Sequence, residues 1–144
     1  MFRTIQPKAA LYRQTHFGVR NAVTHLNGIT WFSPIANYGE SYGPVVSTYT
    51  PKKELIMLDI GSMKTRKQLV SLFPKLSVLL DPDEQYSGGK ANTRIHKLLR
   101  KYFGNQCDGT IIVDNDLKDE DRDMLEGPSE IVLWGTLTHK IKKL

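Results

Sequence analysis

An arginine, a serine, two tyrosines and a glutamate carry the most chemically suggestive pattern in this chain. Arg13 lies within Leu11-Tyr12-Arg13-Gln14-Thr15, and Ser33 closes Thr30-Trp31-Phe32-Ser33. Ala36, Tyr38, Ser41 and Tyr42 follow closely. Far downstream, Cys107-Asp108-Gly109-Thr110-Ile111-Ile112-Val113 precedes Ser129-Glu130-Ile131-Val132-Leu133. A guanidinium keeps its charge and presents planar paired donors, which suits a phosphate of a dinucleotide; a lone arginine is otherwise a surface residue. A strand-end hydroxyl at Ser33 can hold a carboxylate in place, or simply cap a helix. Tyr38 and Tyr42 are four residues apart and would share one helix face, as core or as a stacking surface for a flat ring. Glu130 is either an edge residue or a carboxylate that stabilises positive charge building on an anomeric carbon.

The elements that would position these residues read as follows. Ala9 to Gln14 suits a short first strand, and His16 to Leu26 is ambiguous between helix and loop. Ile29 to Ser33 is β-branched and aromatic, hence a strand. Ser33-Pro34 suits a helix start, with the helix running to about Tyr42 and ending at Gly43-Pro44. Val45 to Tyr49 and Glu54 to Ile60 read as two strands around Pro51-Lys52-Lys53. Ser62 to Phe73 reads as a basic amphipathic helix ending before Pro74, and Leu76 to Leu80 as a helical turn or buried strand. Asp81 to Gly89 is a polar loop. Lys90 to Phe103 is the clearest helix, with Ala91, Ile95, Leu98, Leu99 and Tyr102 on one face and Gly104 at its end. Thr110 to Val113 and Ile131 to Trp134 are strands, with an acidic loop from Asp114 to Gly127 between them. Leu137 to Leu144 is a last candidate strand. Strands and helices alternate irregularly, which favours α+β.

Composition sets limits. At 144 residues and 40% hydrophobic content, the chain suits one domain, 1–144, with its own core. The single cysteine, Cys107, excludes an intrachain disulfide and a cysteine-rich zinc site; it reads as a buried small residue. His16, His25, His96 and His139 show no metal-ligand spacing, so no metal is expected. There is no P-loop, and no GxGxxG opens a helix after a strand. The acidic run lacks the Gly and terminal Glu of an EF-hand loop. The N-terminus has no sustained apolar stretch and no segment approaches a membrane span, so a soluble, intracellular or cytoplasmic protein is expected. Net charge is +5. Lys64, Arg66 and Lys67, then Lys90, Arg94, Lys97, Arg100 and Lys101, form two basic groups. Each reads as a solvated helix face or as a surface for nucleic acid or an acidic protein.

The order of the segments resembles the ADP-ribosyltransferase family, in its Arg-Ser-Glu group. The Leu11-Tyr12-Arg13 segment resembles the family's first strand, Trp31-Phe32-Ser33 its serine motif, and Ala36 to Tyr42 the helix whose aromatic residue packs on nicotinamide. Asp108-Gly109 and the strand beyond resemble its penultimate core strand. The resemblance implies two small antiparallel or mixed sheets around an NAD cleft, with flanking helices. It implies NAD as substrate, Glu130 and Ser33 as catalytic residues, and Arg13, Thr15, Phe32, Tyr38 and Tyr42 as NAD-binding residues. It also implies a protein or nucleic-acid acceptor facing the acidic loop, with water as the acceptor in a glycohydrolase. Pro128 stands where many arginine-modifying members carry Glu and others carry Gln, so the resemblance does not indicate which residue is modified.

Overall fold

Among the described residues, eight strands form two sheets, and helices cover one of them. The computed structural model describes residues 1–36, 42–80, 89–112 and 130–144. Sheet A holds β1 (Phe2–Ile5), β5 (Leu55–Asp59), β6 (Gly109–Ile112), β7 (Glu130–Trp134) and β3 (Ile29–Phe32), in that spatial order. Sheet B holds β2 (Leu11–Thr15), β4 (Val45–Pro51) and β8 (Ile141–Lys143). All pairings are antiparallel except β5 with β6. A parallel pair needs a long crossover, and here it carries α1 (Met63–Leu72), a 3-10 segment (Pro74–Leu80) and α2 (Gly89–Phe103). The protein is therefore α+β with two small sheets.

Alternation along each strand assigns the two faces of sheet A. Phe32, Leu55, Met57, Ile111, Ile131 and Leu133 point toward sheet B and meet Leu11, Tyr49, Leu137 and Ile141 there. Leu58, Ile60, Ile112, Val132 and Trp134 point the other way, against Leu69, Leu76, Leu79, Ile95, Leu99 and Phe103 of the helical layer. Cys107 is buried in that layer, as expected of a lone small residue, and burial pushes its thiol up to about 11. Gly109 sits where β6 is squeezed against β7; a Cβ there would lie 1.8 Å from the Val132 carbonyl oxygen.

Several local readings change in the folded chain. The first strand is Phe2–Ile5, whose outward Phe2, Arg3 and Thr4 give no apolar alternation; the arginine-bearing segment is the second strand, Leu11–Thr15. Part of the ambiguous stretch forms a short 3-10 turn, Val23–His25. The two strands flanking Lys52-Lys53 form as expected and enter different sheets. Residues 34–36 form a bend and turn rather than the start of a helix, because Ser33 Oγ accepts from Ile35 N, only two residues on. The remainder of that expected helix, residues 37–41, lies outside the described residues, as do most of the Asp81–Gly89 loop, Val113, and the acidic loop with Pro128.

α1 forms where Ser62 caps it, its side chain accepting from Thr65 N. Its inward face holds Thr65, Arg66 and Leu69, so Arg66 belongs inside rather than to a solvated basic face. α2 follows the expected period, with Ile95, Leu99 and Phe103 inward and Gly104 just past its end. No helix among the described residues is long and apolar enough to cross a membrane.

Candidate functional site

The strands bearing Arg13, Ser33 and Glu130 are consecutive neighbours in space. β3 pairs with β7 through Phe32↔Ile131 and Trp31↔Val132. Continued by one residue, that register sets Ser33 opposite Glu130. On its other side Ser33 makes a two-bond bridge to β2: Tyr12 N donates to Ser33 O and Ser33 N to Tyr12 O, each at 2.8 Å. This bridge joins the two sheets. Residues 13, 33 and 130 thus converge on one junction although 117 positions separate the first from the last.

Glu130 points to the helical side of sheet A, as Val132 and Trp134 do. Its carboxyl is pushed up by burial, and two neighbours counter this: the Trp31 side chain, which donates a hydrogen bond to it, and the positive charge of Arg66. Arg66 is only 2% exposed. Its Nε donates to Ile60 O and its Nη1 to Leu79 O at 3.0 Å, tying α1 to the end of β5 and to the 3-10 segment. Ile60 N in turn donates to Ile111 O at 3.1 Å, and Ile112 stands opposite Glu130. Arg66 is therefore anchored about two strand spacings, roughly 10 Å, from the start of β7. His96 of α2 meets Trp31 edge-on, ring centroids 5.7 Å apart. It is 3% exposed, its Nδ1 has no hydrogen-bond partner, and burial holds its imidazole down to about 4, so it is neutral at pH 7.

Arg13 lies on the opposite side of the junction, turned toward the space between the sheets. Nε donates to Asn21 Oδ1 and Nη1 to Trp31 O, each at 3.3 Å. Burial lowers its pKa, while the nearby Tyr49 oxygen raises it. Asn21 completes a local network: its Nδ2 donates to Thr15 Oγ1 at 2.8 Å, and its carbonyl accepts from Tyr49 OH at 2.5 Å. Thr15 is buried in that network. Phe32 is buried too, edge-on to Tyr49 at 5.4 Å, and its ring belongs to the core between the sheets. Tyr42 is 70% exposed. Its segment is held against the end of β2, where Gln14 Nε2 donates to Gly43 O at 3.3 Å. A Cβ at Gly43, φ +134°, would lie 2.2 Å from Thr15 O, so only glycine lets this segment approach so closely. Tyr38 lies outside the described residues.

Ser33 and Glu130 are thus brought side by side, and Arg13 is fastened to the same junction from its other face. Thr15 and Phe32 are turned into structural surroundings. Sequence reading missed Trp31 and Arg66 as groups acting on Glu130, and His96 packed behind Trp31. A strand period would have placed Trp31 and Glu130 on one face once the register was known, but nothing local marks Arg66 as buried. Among the described residues no group of three His, Cys, Asp or Glu gathers as a metal site would require. The chain matches no protein-family model, no curated protein and no solved structure.

Proposed function

We propose that this protein is an NAD-dependent mono-ADP-ribosyltransferase on an ADP-ribosyltransferase-like fold. The observation that supports this reading best is the contiguity of β2, β3 and β7. It gathers an arginine, a serine and a half-buried glutamate from distant parts of the chain at one sheet junction. In the proposed reaction, Glu130 as carboxylate holds a ribose hydroxyl and stabilises the cation that develops at the anomeric carbon. The bond from that carbon to the nicotinamide nitrogen breaks, and its electron pair leaves with nicotinamide, which needs no proton. An acceptor nucleophile then bonds to the same carbon and gives up its proton. Ser33 orients Glu130, Arg13 draws a phosphate of NAD to the junction, and the exposed Tyr42 ring stacks on nicotinamide.

Arg66 and Trp31 fit this role for Glu130. A carboxylate drawn out of water loses its charge unless something favours the ionised form, and an indole donor and a guanidinium supply that. The test is nicotinamide release from NAD by the purified chain, with and without cell lysate as acceptor. Release should require Glu130 and fall at least about a hundredfold in Glu130→Gln, the scale typical of removing one electrostatic interaction with the transition state. Release undiminished by that substitution would defeat the site assignment. Release with NAD and water alone would mark the glycohydrolase outcome.

A further inference from the structure

The outer face of α2 carries Arg94, Lys97, Arg100 and Lys101, all exposed, while Ile95, His96, Leu99 and Phe103 fill the inner face. From Gly89 to Cys107 there is no acidic residue. The last-turn pair, Arg100 and Lys101, complements the helix dipole, which would account for those two on structural grounds alone. Lys97, near the middle of the helix, gains nothing from that effect, and cations that recur every turn without intervening carboxylates repel one another. The stripe is also placed against the site. His96 meets Trp31, which bonds Glu130, and at the other end a Cβ on Gly135, just past β7, would lie 3.4 Å from Arg100 Nη2. α2 therefore runs alongside β7, in the same direction, with Arg94 nearest the start of that strand and Arg100 beside Gly135, roughly 16 Å along the strand from Glu130.

We propose that this face of α2 docks the phosphate backbone of a nucleic acid, so that the acceptor brought to Glu130 is a nucleotide of that strand. The acceptor assignment rests on the transferase reading; the docking surface does not. The chemistry of the face selects the partner class. An exposed line of cations with no large apolar side chain among them offers nothing to insert into a bilayer. It also lacks the aromatic and apolar centre that anchors most protein partners. A regularly repeating polyanion is what such a line complements, and Lys97 and Lys101 lie about 6 Å apart along the axis.

The experiment is fluorescence anisotropy of labelled 20-nucleotide single-stranded RNA and DNA with the full chain, across a salt series. A poly-glutamate peptide of matched charge serves as competitor. Wild type should bind with an affinity that falls steeply with salt. Lys97→Glu/Arg100→Glu/Lys101→Glu should weaken binding at least tenfold. Lys97→Gln/Arg100→Gln/Lys101→Gln should reduce the log–log salt slope by about 2, near 0.7 for each phosphate no longer neutralised. Both variants should keep the wild-type urea unfolding midpoint, which shows that they fold. Equal oligonucleotide binding by wild type and variants would overturn the docking surface, as would poly-glutamate competing as well as oligonucleotide. Glu130→Gln should bind oligonucleotide normally. If it does so while still releasing nicotinamide, the docking surface stands and the transferase reading fails. If release needs Glu130 but no oligonucleotide binds, the reverse holds.

Discussion

The two faces of sheet A are both packed, but they treat polar groups differently. Toward sheet B, the polar side chains around Asn21 form one bonded network, Asn21 with Thr15, Arg13 with Asn21 and Trp31 O, and Tyr49 with Asn21 O, although Thr50 Oγ1 of β4 is buried without a partner. Toward the helices, Glu130 accepts from the Trp31 side chain and feels the charge of Arg66, His96 packs on Trp31, and the buried His96 Nδ1, Thr110 Oγ1 and Trp134 Nε1 lack partners. Buried polar groups are normally bonded because leaving one bare costs on the order of 1–3 kcal/mol. The sheet-facing network therefore behaves as a fastening, whereas the helix-facing cluster keeps polar groups at a cost that packing alone does not explain. If Glu130 acts as proposed, that contrast separates a region that holds the candidate site from the candidate site itself.

The contrast can be broken most sharply through Glu130. Glu130→Gln should abolish nicotinamide release yet leave stability intact or slightly raised, because a neutral side chain suits a spot where burial already disfavours the charge. A urea midpoint lowered by this variant would make Glu130 a structural residue. Arg66→Met is the next largest. It should cost about 3 kcal/mol or more by urea denaturation, since removing a buried guanidinium tied to two carbonyls leaves them bare. It should also move the acid limb of the nicotinamide-release pH profile upward, because the Glu130 carboxylate loses a favourable charge; an unmoved limb would separate Arg66 from the site.

His96 gives a pH-dependent version of the same test. Its folded value of about 4 lies below the ordinary 6.5, so between those values the unfolded chain holds a proton that the folded chain does not. Stability should be full above pH 6.5 and fall by up to about 1.4 kcal/mol per pH unit toward pH 4. Glu130 contributes with the opposite sign, its raised value favouring the folded state as pH falls. The slope that disappears in His96→Gln isolates the histidine, and an unchanged slope would mean that it is not buried neutral. On the other face, Tyr49→Phe should cost about 1 kcal/mol through its missing bond to Asn21 O, with nicotinamide release unaltered. Tyr42→Ala, the smallest effect, should leave the melting midpoint unchanged and raise the KM for NAD. A KM that stays put would remove Tyr42 from the binding site.

Much of this arrangement was legible in the residues. Ile29 to Phe32 and Ile131 to Trp134 stood out as strands because both of their faces are packed, and α2 did so because its apolar period has no interruption. β1 was not legible, since only Ile5 of its four residues is buried. Nor was the parting of β4 and β5 into separate sheets, which depends on partners more than 50 residues away, such as β6 and β8. Arg66 was unreadable for a more instructive reason. Periodicity assigns charged residues to the outside, and α1 buries one at the spot where the backbone offers two carbonyls. The candidate site was half legible: residue order pointed to Arg13, Ser33 and Glu130, but only the register puts Ser33 opposite Glu130 and turns Arg13 to the other face.

The squeeze at Gly109 sets how this chain tolerates change. A Cβ there would strike the Val132 carbonyl, backbone that cannot swing aside as a side chain would. Gly18 and Gly28 also have glycine geometry, with φ of +84° and +82°, but open space around them. In a library covering every substitution, those two positions should accept asparagine or aspartate, which visit that backbone region readily. Position 109 should accept nothing at all, and even alanine should be purged. The strand that delivers Glu130 to the junction thus owes its alignment to the smallest side chain of its neighbour.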